Sequence, residues 1–216
     1  NAIKGKIQMG DVFISAGSAV DVTLQGPANG GWLSWYATFA VSPLTIGYNP
    51  QSRFAAKLRT DPWYQVLAMP GIKVGMTDPV LDPKGKLTTA ALSSAQRTYH
   101  LSSRFAASVR AKAAVYPEQE LLGRLESGQL DVGFFYEDEA MPAHIPTVDL
   151  GKVRENATYT VTVLNRAPDP TAGAAFVKYL LTAARPMLEA AGMQLVDPSV
   201  QGAARAVPSS LRGVLG

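Results

Sequence analysis

Side chains able to do chemistry are few in this chain. Histidine occurs twice, at His100 and His144, and cysteine not at all. Disulfides, thiolate metal sites and cysteine nucleophiles are therefore excluded, and a histidine-rich zinc centre cannot be assembled. A serine triad would need one of the two histidines, and neither stands in a setting such as a G-x-S-x-G elbow. The densest acidic cluster is Glu137-Asp138-Glu139. Such a run suits a helix start, where the dipole is positive. It also offers oxygen ligands to a hard cation such as Ca²⁺ or Mg²⁺, although it lacks the D-x-D-x-D-G spacing of a dedicated calcium loop. A divalent-metal-dependent enzyme using 137–139 is thus one reading. The remaining candidates are neutral donors: the hydroxyls of Ser15 and Tyr136, and backbone N–H groups where helices begin. They can hold an anion without transforming it. With no base, nucleophile or metal cluster arranged for a reaction, the expectation is a binding protein, not an enzyme, with no cofactor.

Those donors need elements to aim them. "DVFISA" (11–16) reads as a short strand of β-formers closed by Gly17. Ser18 and Asp21 then resemble a helix cap and a first-turn acid. "QGPANGG" (25–31) is a loop, and "WYATFAVSPLTIGYNP" (35–50) one long or broken strand. Residues 51–68 read as a helix and "GIKVGMTD" (71–78) as a strand. "GMTDPVLDPKGK" (75–86) follows, with two Asp-Pro pairs and a glycine ahead of an Ala/Leu/Thr helix pattern. Asp82-Pro83 fits an N-cap with proline in the first turn, which needs no ligand; the same helix start could also face an anion. One or two helices fill 86–113. Pro117 opens another, stopped at Gly128. "LDVGFFY" (130–136) and "ATYTVTVLNRA" (157–167) are strands. Asp169-Pro170 starts a helix that Arg185-Pro186 should break. The tail, 199–216, reads as loosely packed.

Strands alternate with helices, which favours α/β with mostly parallel sheets. The two apolar strands 36–48 and 157–164 bracket a middle segment. The expected architecture is two lobes joined by two crossing strands: 1–69 plus 158–216 in lobe 1, and 70–157 in lobe 2. In such sheets ligands lie beyond the carboxyl ends of strands. Those ends carry Ser15, the Asp-Pro loop and Tyr136, with further helix starts near Asp82 and Glu118.

The composition agrees. The chain has 216 residues, 47% of them hydrophobic, enough for one large domain or two small lobes. No apolar run reaches the ~20 residues needed to cross a bilayer, and the start carries no signal-peptide pattern. The net charge is +3 and the isoelectric point about 9.1. The basic residues Lys4, Lys6, Arg53, Lys57, Arg59, Arg104, Arg110 and Lys112 are dispersed. No basic tract with interleaved aromatics points to nucleic acid.

In this order, "GDVFISAGS" (10–18), "FAVSPLTIGYNP" (39–50), "GMTDPVLDPKGK" (75–86), "LLGRLESGQLDVGFFYEDEA" (121–140) and "AAFVKYLLTAARPMLEAAGM" (174–193) resemble periplasmic molybdate/tungstate-binding components of ABC transporters. The resemblance implies two α/β lobes of the type II periplasmic-binding-protein kind. They would close on a tetrahedral oxyanion that a membrane ABC permease receives, with the protein periplasmic or extracellular and monomeric. It implies that the Ser15 hydroxyl, a backbone N–H at Lys84, another at Glu118 and the Tyr136 hydroxyl contact the anion. Tungstate-type members add direct carboxylate contacts to the metal. Asp82 matches one; the other falls at Phe135, which cannot ligate, leaving Glu137 as the carboxylate to substitute. The resemblance also implies a leading strand and helix with another ligand serine. Only ten residues precede Asp11 here, so that wall of the site is expected to be missing. Sulfate, phosphate or a ferric ion in the same cleft, the last on Tyr136, Glu137 and Asp82, is the alternative ligand set.

Overall fold

The computed structural model describes residues 3–5 and 9–215. In chain order its elements are β1 (Val12–Ser15), α1 (Ser18–Val22), β2 (Trp35–Tyr48), α2 (Ala55–Thr60), α3 (Trp63–Ala68) and β3 (Val74–Met76). Then come α4 (Pro83–Thr98), α5 (Phe105–Lys112), β4 (Ala114–Val115), α6 (Glu118–Glu126), β5 (Val132–Tyr136) and α7 (Glu137–Ala140). The chain closes with β6 (Thr147–Val148), β7 (Asn156–Val163), α8 (Pro170–Leu181), α9 (Arg185–Ala190) and β8 (Gln194–Gly202). These form two compact units, Asn1–Ser42 with Thr158–Gly216, and Pro43–Ala157.

The division differs from the expected one at residues 43–69, which pack in the second unit rather than in lobe 1. Their side chains are tied there. Trp63 meets Tyr64, Tyr99 and Phe105 edge-on and donates its Nε1–H to the Leu150 carbonyl. Asn49 donates to the Leu125 carbonyl, and Ser52 to Asp131 at 2.6 Å. Residues 1, 2 and 6–8 of the expected lobe 1, Lys6 among them, and residue 216 lie outside the described residues.

In the first unit, β1 runs antiparallel to β7, in register from Val12–Val163 to Ser15–Thr160. The first half of β2 pairs antiparallel with β8, with a shift between Thr38 and Ala40. The mostly parallel sheet expected here is therefore not what this unit contains. Parallel order follows when a helix carries the chain straight back to a neighbouring strand; β7 returns to β1 only after the whole second unit. Trp35, Phe39, Val161 and Val163 pack under Val177 and Leu181 of α8. The tail expected to be loose, 199–216, supplies the end of β8 and buries Val207, Leu211 and Leu215 in the same core. Its apolar residues are spaced three or four apart among Ala, Gly, Pro and Ser, which masks them in composition. Asp169 caps α8 as read, accepting from Thr171 N and Ala172 N.

Ser18 does not cap α1. Gly17 is the N-cap, without a side-chain bond, and Asp21 is buried, accepting from Thr160 Oγ1 at 2.6 Å. Burial raises the Asp21 pKa above the ordinary carboxylate range, partly offset by that bond.

The second unit is built on parallel strands. β5 lies between the second half of β2, antiparallel to it, and β3, parallel to it; β4 extends the sheet parallel to β3. The helix expected over 51–68 is two, α2 and α3, separated at Asp61-Pro62 because proline removes a helical N–H and restricts the residue before it. The three parallel strands end at Met76, Val115 and Tyr136, and each leads into a helix start: α4, α6 and α7. One edge of the sheet thus gathers three N-termini.

Candidate functional site at three helix starts

The loop into α4 is fixed by its own aspartates. Asp78 Oδ1 accepts from Val80 N at 2.7 Å and Leu81 N at 2.8 Å, bonds that lower its pKa. Asp82 N returns to the Asp78 carbonyl. Asp82 Oδ1 then accepts from Thr77 Oγ1 at 2.9 Å, Lys84 N at 2.8 Å and Gly85 N at 3.3 Å. Gly85 is required by this turn: a Cβ there would collide with the Asp78 carbonyl. The two Asp-Pro pairs make a tight structural entry to the helix.

Behind the loop lies Lys84, only 2% exposed. Its ammonium donates to Glu139 Oε1 at 2.6 Å and Oε2 at 2.7 Å, and to Glu118 Oε1 at 3.1 Å. Glu139 is anchored again by accepting from Tyr136 N at 2.9 Å, half of a capping box at α7. The ammonium lies 5.2 Å from the centre of the Tyr136 ring and 5.8 Å from that of Phe135. The Tyr136 hydroxyl is buried, and no hydrogen-bond partner for it exists among the described residues. Beside this cluster a cleft of about 410 Å³ opens between Asp78, Leu81, Asp82 and Pro83 on one side and Tyr116, Pro117 and Glu118 on the other.

Protonation follows from burial and crowding. Desolvation, then the charges of Glu139, Asp82, Glu118 and Asp138, raise the Tyr136 pKa. The phenol therefore stays protonated at any physiological pH and can only donate toward an anion. Burial and the hydrogen bond with Glu118 push Glu139 up to about 7 against the pull of Lys84. The same bond lowers the Glu118 pKa, so a proton held by the pair resides on Glu139.

Of the residues singled out in the sequence, Asp82, Lys84, Glu118 and Tyr136 come together in the second unit. Lys84 enters differently from the expectation: its amide is spent on Asp82, and its ammonium is the group that faces the carboxylates. Glu118 is the first residue of α6, behind the N-cap Pro117, so its amide is at a helix start as expected. Ser15 belongs to the first unit, where its hydroxyl donates to the Gly17 carbonyl at 3.0 Å and accepts from Gly17 N at 3.2 Å. Asp82 and Glu137, expected as direct carboxylate contacts, are engaged or placed differently from each other. Asp82 is a cap with three donors on Oδ1, and the α7 carboxylate that enters the cluster is Glu139. No group of three His, Cys, Asp or Glu suited to a metal ion exists among the described residues.

Sequence reasoning missed the Lys84 side chain, and it took Glu139 only as one member of the acidic run 137–139, not as the partner of that lysine. A signal existed for each. Glu139 stands three residues after Tyr136, the capping-box spacing. Lys84 is a cation in a helix's first turn, where the dipole disfavours it, so it demanded a carboxylate partner.

A family model described as bacterial extracellular solute-binding protein matches residues 1–194. An uncharacterized solute-binding protein of Petrotoga mobilis is 26% identical, over 87% of this chain and 68% of its own length. A putative ABC transporter molybdenum-binding protein of Haloferax volcanii is 34% identical, over 54% of this chain and 38% of its own. The chain thus spans between about a third and two thirds of these relatives. Among solved structures, the periplasmic molybdate-binding protein of Azotobacter vinelandii superposes with a TM-score of 0.70 over 90% of this chain and 82% of its own. At 18% identity that likeness shows the fold.

Proposed function

We propose, for a chain that belongs to the bacterial extracellular solute-binding proteins, that its second unit binds a tetrahedral oxyanion, molybdate or tungstate first. The protein would deliver it to an ABC permease from outside the cytoplasm. One observation carries this reading: the Tyr136 hydroxyl, buried and without a partner among the described residues, on a ring that the ammonium of Lys84 from the first turn of α4 overlies. A buried hydroxyl left without a partner costs about 1–3 kcal/mol, a cost that a bound anion would reverse. Free N–H groups at the start of α6 would add donors of the same polarity. The names of the molybdenum- and molybdate-binding relatives support the choice of anion.

The test is thermal unfolding with molybdate, tungstate, sulfate, phosphate, ferric ion and divalent cations in turn. A ligand at a hundred times its Kd adds about 2.7 kcal/mol to the folded state. For a chain of this size that is a rise of roughly 5–10 °C. The expected result is such a rise with molybdate or tungstate and a smaller one or none with sulfate. A rise with divalent cations alone would transfer the site to the metal-dependent reading of 137–139.

A further inference from the structure

We infer that the Glu118 carboxylate is a built-in competitor for the ligand: an arriving oxyanion displaces it from Lys84, whose ammonium then contacts the bound anion directly. This deepens the proposed function and rests on it.

The arrangement around Lys84 is the reason. A lysine ammonium has three N–H donors. Here two go to the oxygens of Glu139 and one to Glu118. The two carboxylates are held unequally. Glu139 is gripped through both oxygens and tied again to Tyr136 N, and its side chain is 26% exposed. Glu118 meets Lys84 through one oxygen at the longer distance of 3.1 Å, has Glu139 as its other partner in the cluster, and its side chain is 49% exposed. Water can take up a released Glu118 at little cost, whereas Lys84 has no such exit. The cleft opens on the Glu118 side, lined by Leu81, Asp82, Pro83 and Pro117.

The unpartnered Tyr136 hydroxyl is a second, independent pointer to a ligand in this cluster, since the Lys84 ammonium lies over its ring and the charges of Glu139, Asp82 and Glu118 act on it. The ammonium lies against the face of that tyrosine's ring, so one small anion entering at Glu118 would meet a phenol donor and a cation. The α6 backbone stays in place when the Glu118 side chain leaves, so its first-turn N–H groups remain available to the newcomer. While no ligand is bound, the internal carboxylate neutralises Lys84. A bound dianion would otherwise sit beside Glu118, Glu139, Asp82 and Asp138 at once, and displacing Glu118 removes the one like charge that can leave.

Isothermal titration of tungstate into the wild-type protein and into Glu118→Gln tests this. Glutamine keeps the length and the helix start but loses the competing charge. Tungstate affinity is expected to rise about tenfold in Glu118→Gln. The paired variant Lys84→Met/Glu139→Gln, which leaves no unpaired buried charge, is expected to lose at least tenfold while still unfolding cooperatively. Wild-type binding with equal or weaker affinity in Glu118→Gln would overturn the competitor role. Wild-type binding with full affinity in the paired variant would overturn the direct contact by Lys84. No binding by the wild type would instead remove the oxyanion reading, and this inference with it.

Discussion

Replacing Lys84 alone by methionine is expected to destabilise the folded protein by about 3–5 kcal/mol, the range for breaking a buried ion pair by removing one partner. The chain length of lysine is nearly preserved, so packing against Phe135 and Tyr136 changes little. What changes is charge. Glu139 would keep only the Tyr136 amide as a donor from its present set, and Glu118 would lose the one cation within bonding distance of it among the described residues. Glu139, already pushed up to about 7, would then rise further and take up a proton. The sign follows: its ionised form is the disfavoured one in the folded state, so the variant's loss should grow as pH rises past neutrality. Urea unfolding at pH 6 and pH 8 checks both the size and the direction. Adding Glu139→Gln to Lys84→Met should recover part of the loss, because the uncompensated charge is gone. A single variant as stable as the wild type at pH 8 would mean that the ammonium is not what holds the two carboxylates together.

Tyr136→Phe should give the opposite pattern, with stability kept and binding lost. The hydroxyl has no protein partner among the described residues, so deleting it breaks no internal bond and removes a desolvated polar atom. Stability should be kept or higher by about 1–3 kcal/mol, the cost that the unpaired hydroxyl carries. Oxyanion affinity should fall by ten- to a hundredfold, because a hydrogen bond to a charged acceptor is worth about 1.5–3 kcal/mol. Calorimetric titration with molybdate, alongside a thermal melt of the free protein, reads both numbers. A destabilised variant with unchanged affinity would make Tyr136 a core residue.

Much of the second unit was legible before its structure. "LDVGFFY" and "GIKVGM" are apolar runs bounded by turn residues, and Asp82-Pro83 is a cap written in the two residue types that make one. Tyr136 could be placed because a polar aromatic at a strand's carboxyl end, ahead of three acids, marks a strand-to-helix corner. Less legible was anything decided by distant partners. β4 has two residues and exists because β3 offers an edge. β8 and the Val207–Leu215 packing depend on β2 and α8, far away in sequence. The direction of the Lys84 side chain was hidden for the same reason. Nothing local tells a long flexible lysine to turn inward; two carboxylates 34 and 55 residues further on do.

The central claim is that the corner where α4, α6 and α7 begin is an oxyanion site, and diffraction can locate the anion directly. Crystals grown with tungstate and measured at the tungsten absorption edge should show one strong anomalous peak within hydrogen-bonding distance of the Tyr136 hydroxyl, with the Glu118 side chain moved off Lys84. A fully occupied peak elsewhere, with the Tyr136 hydroxyl still unpartnered, would contradict the account.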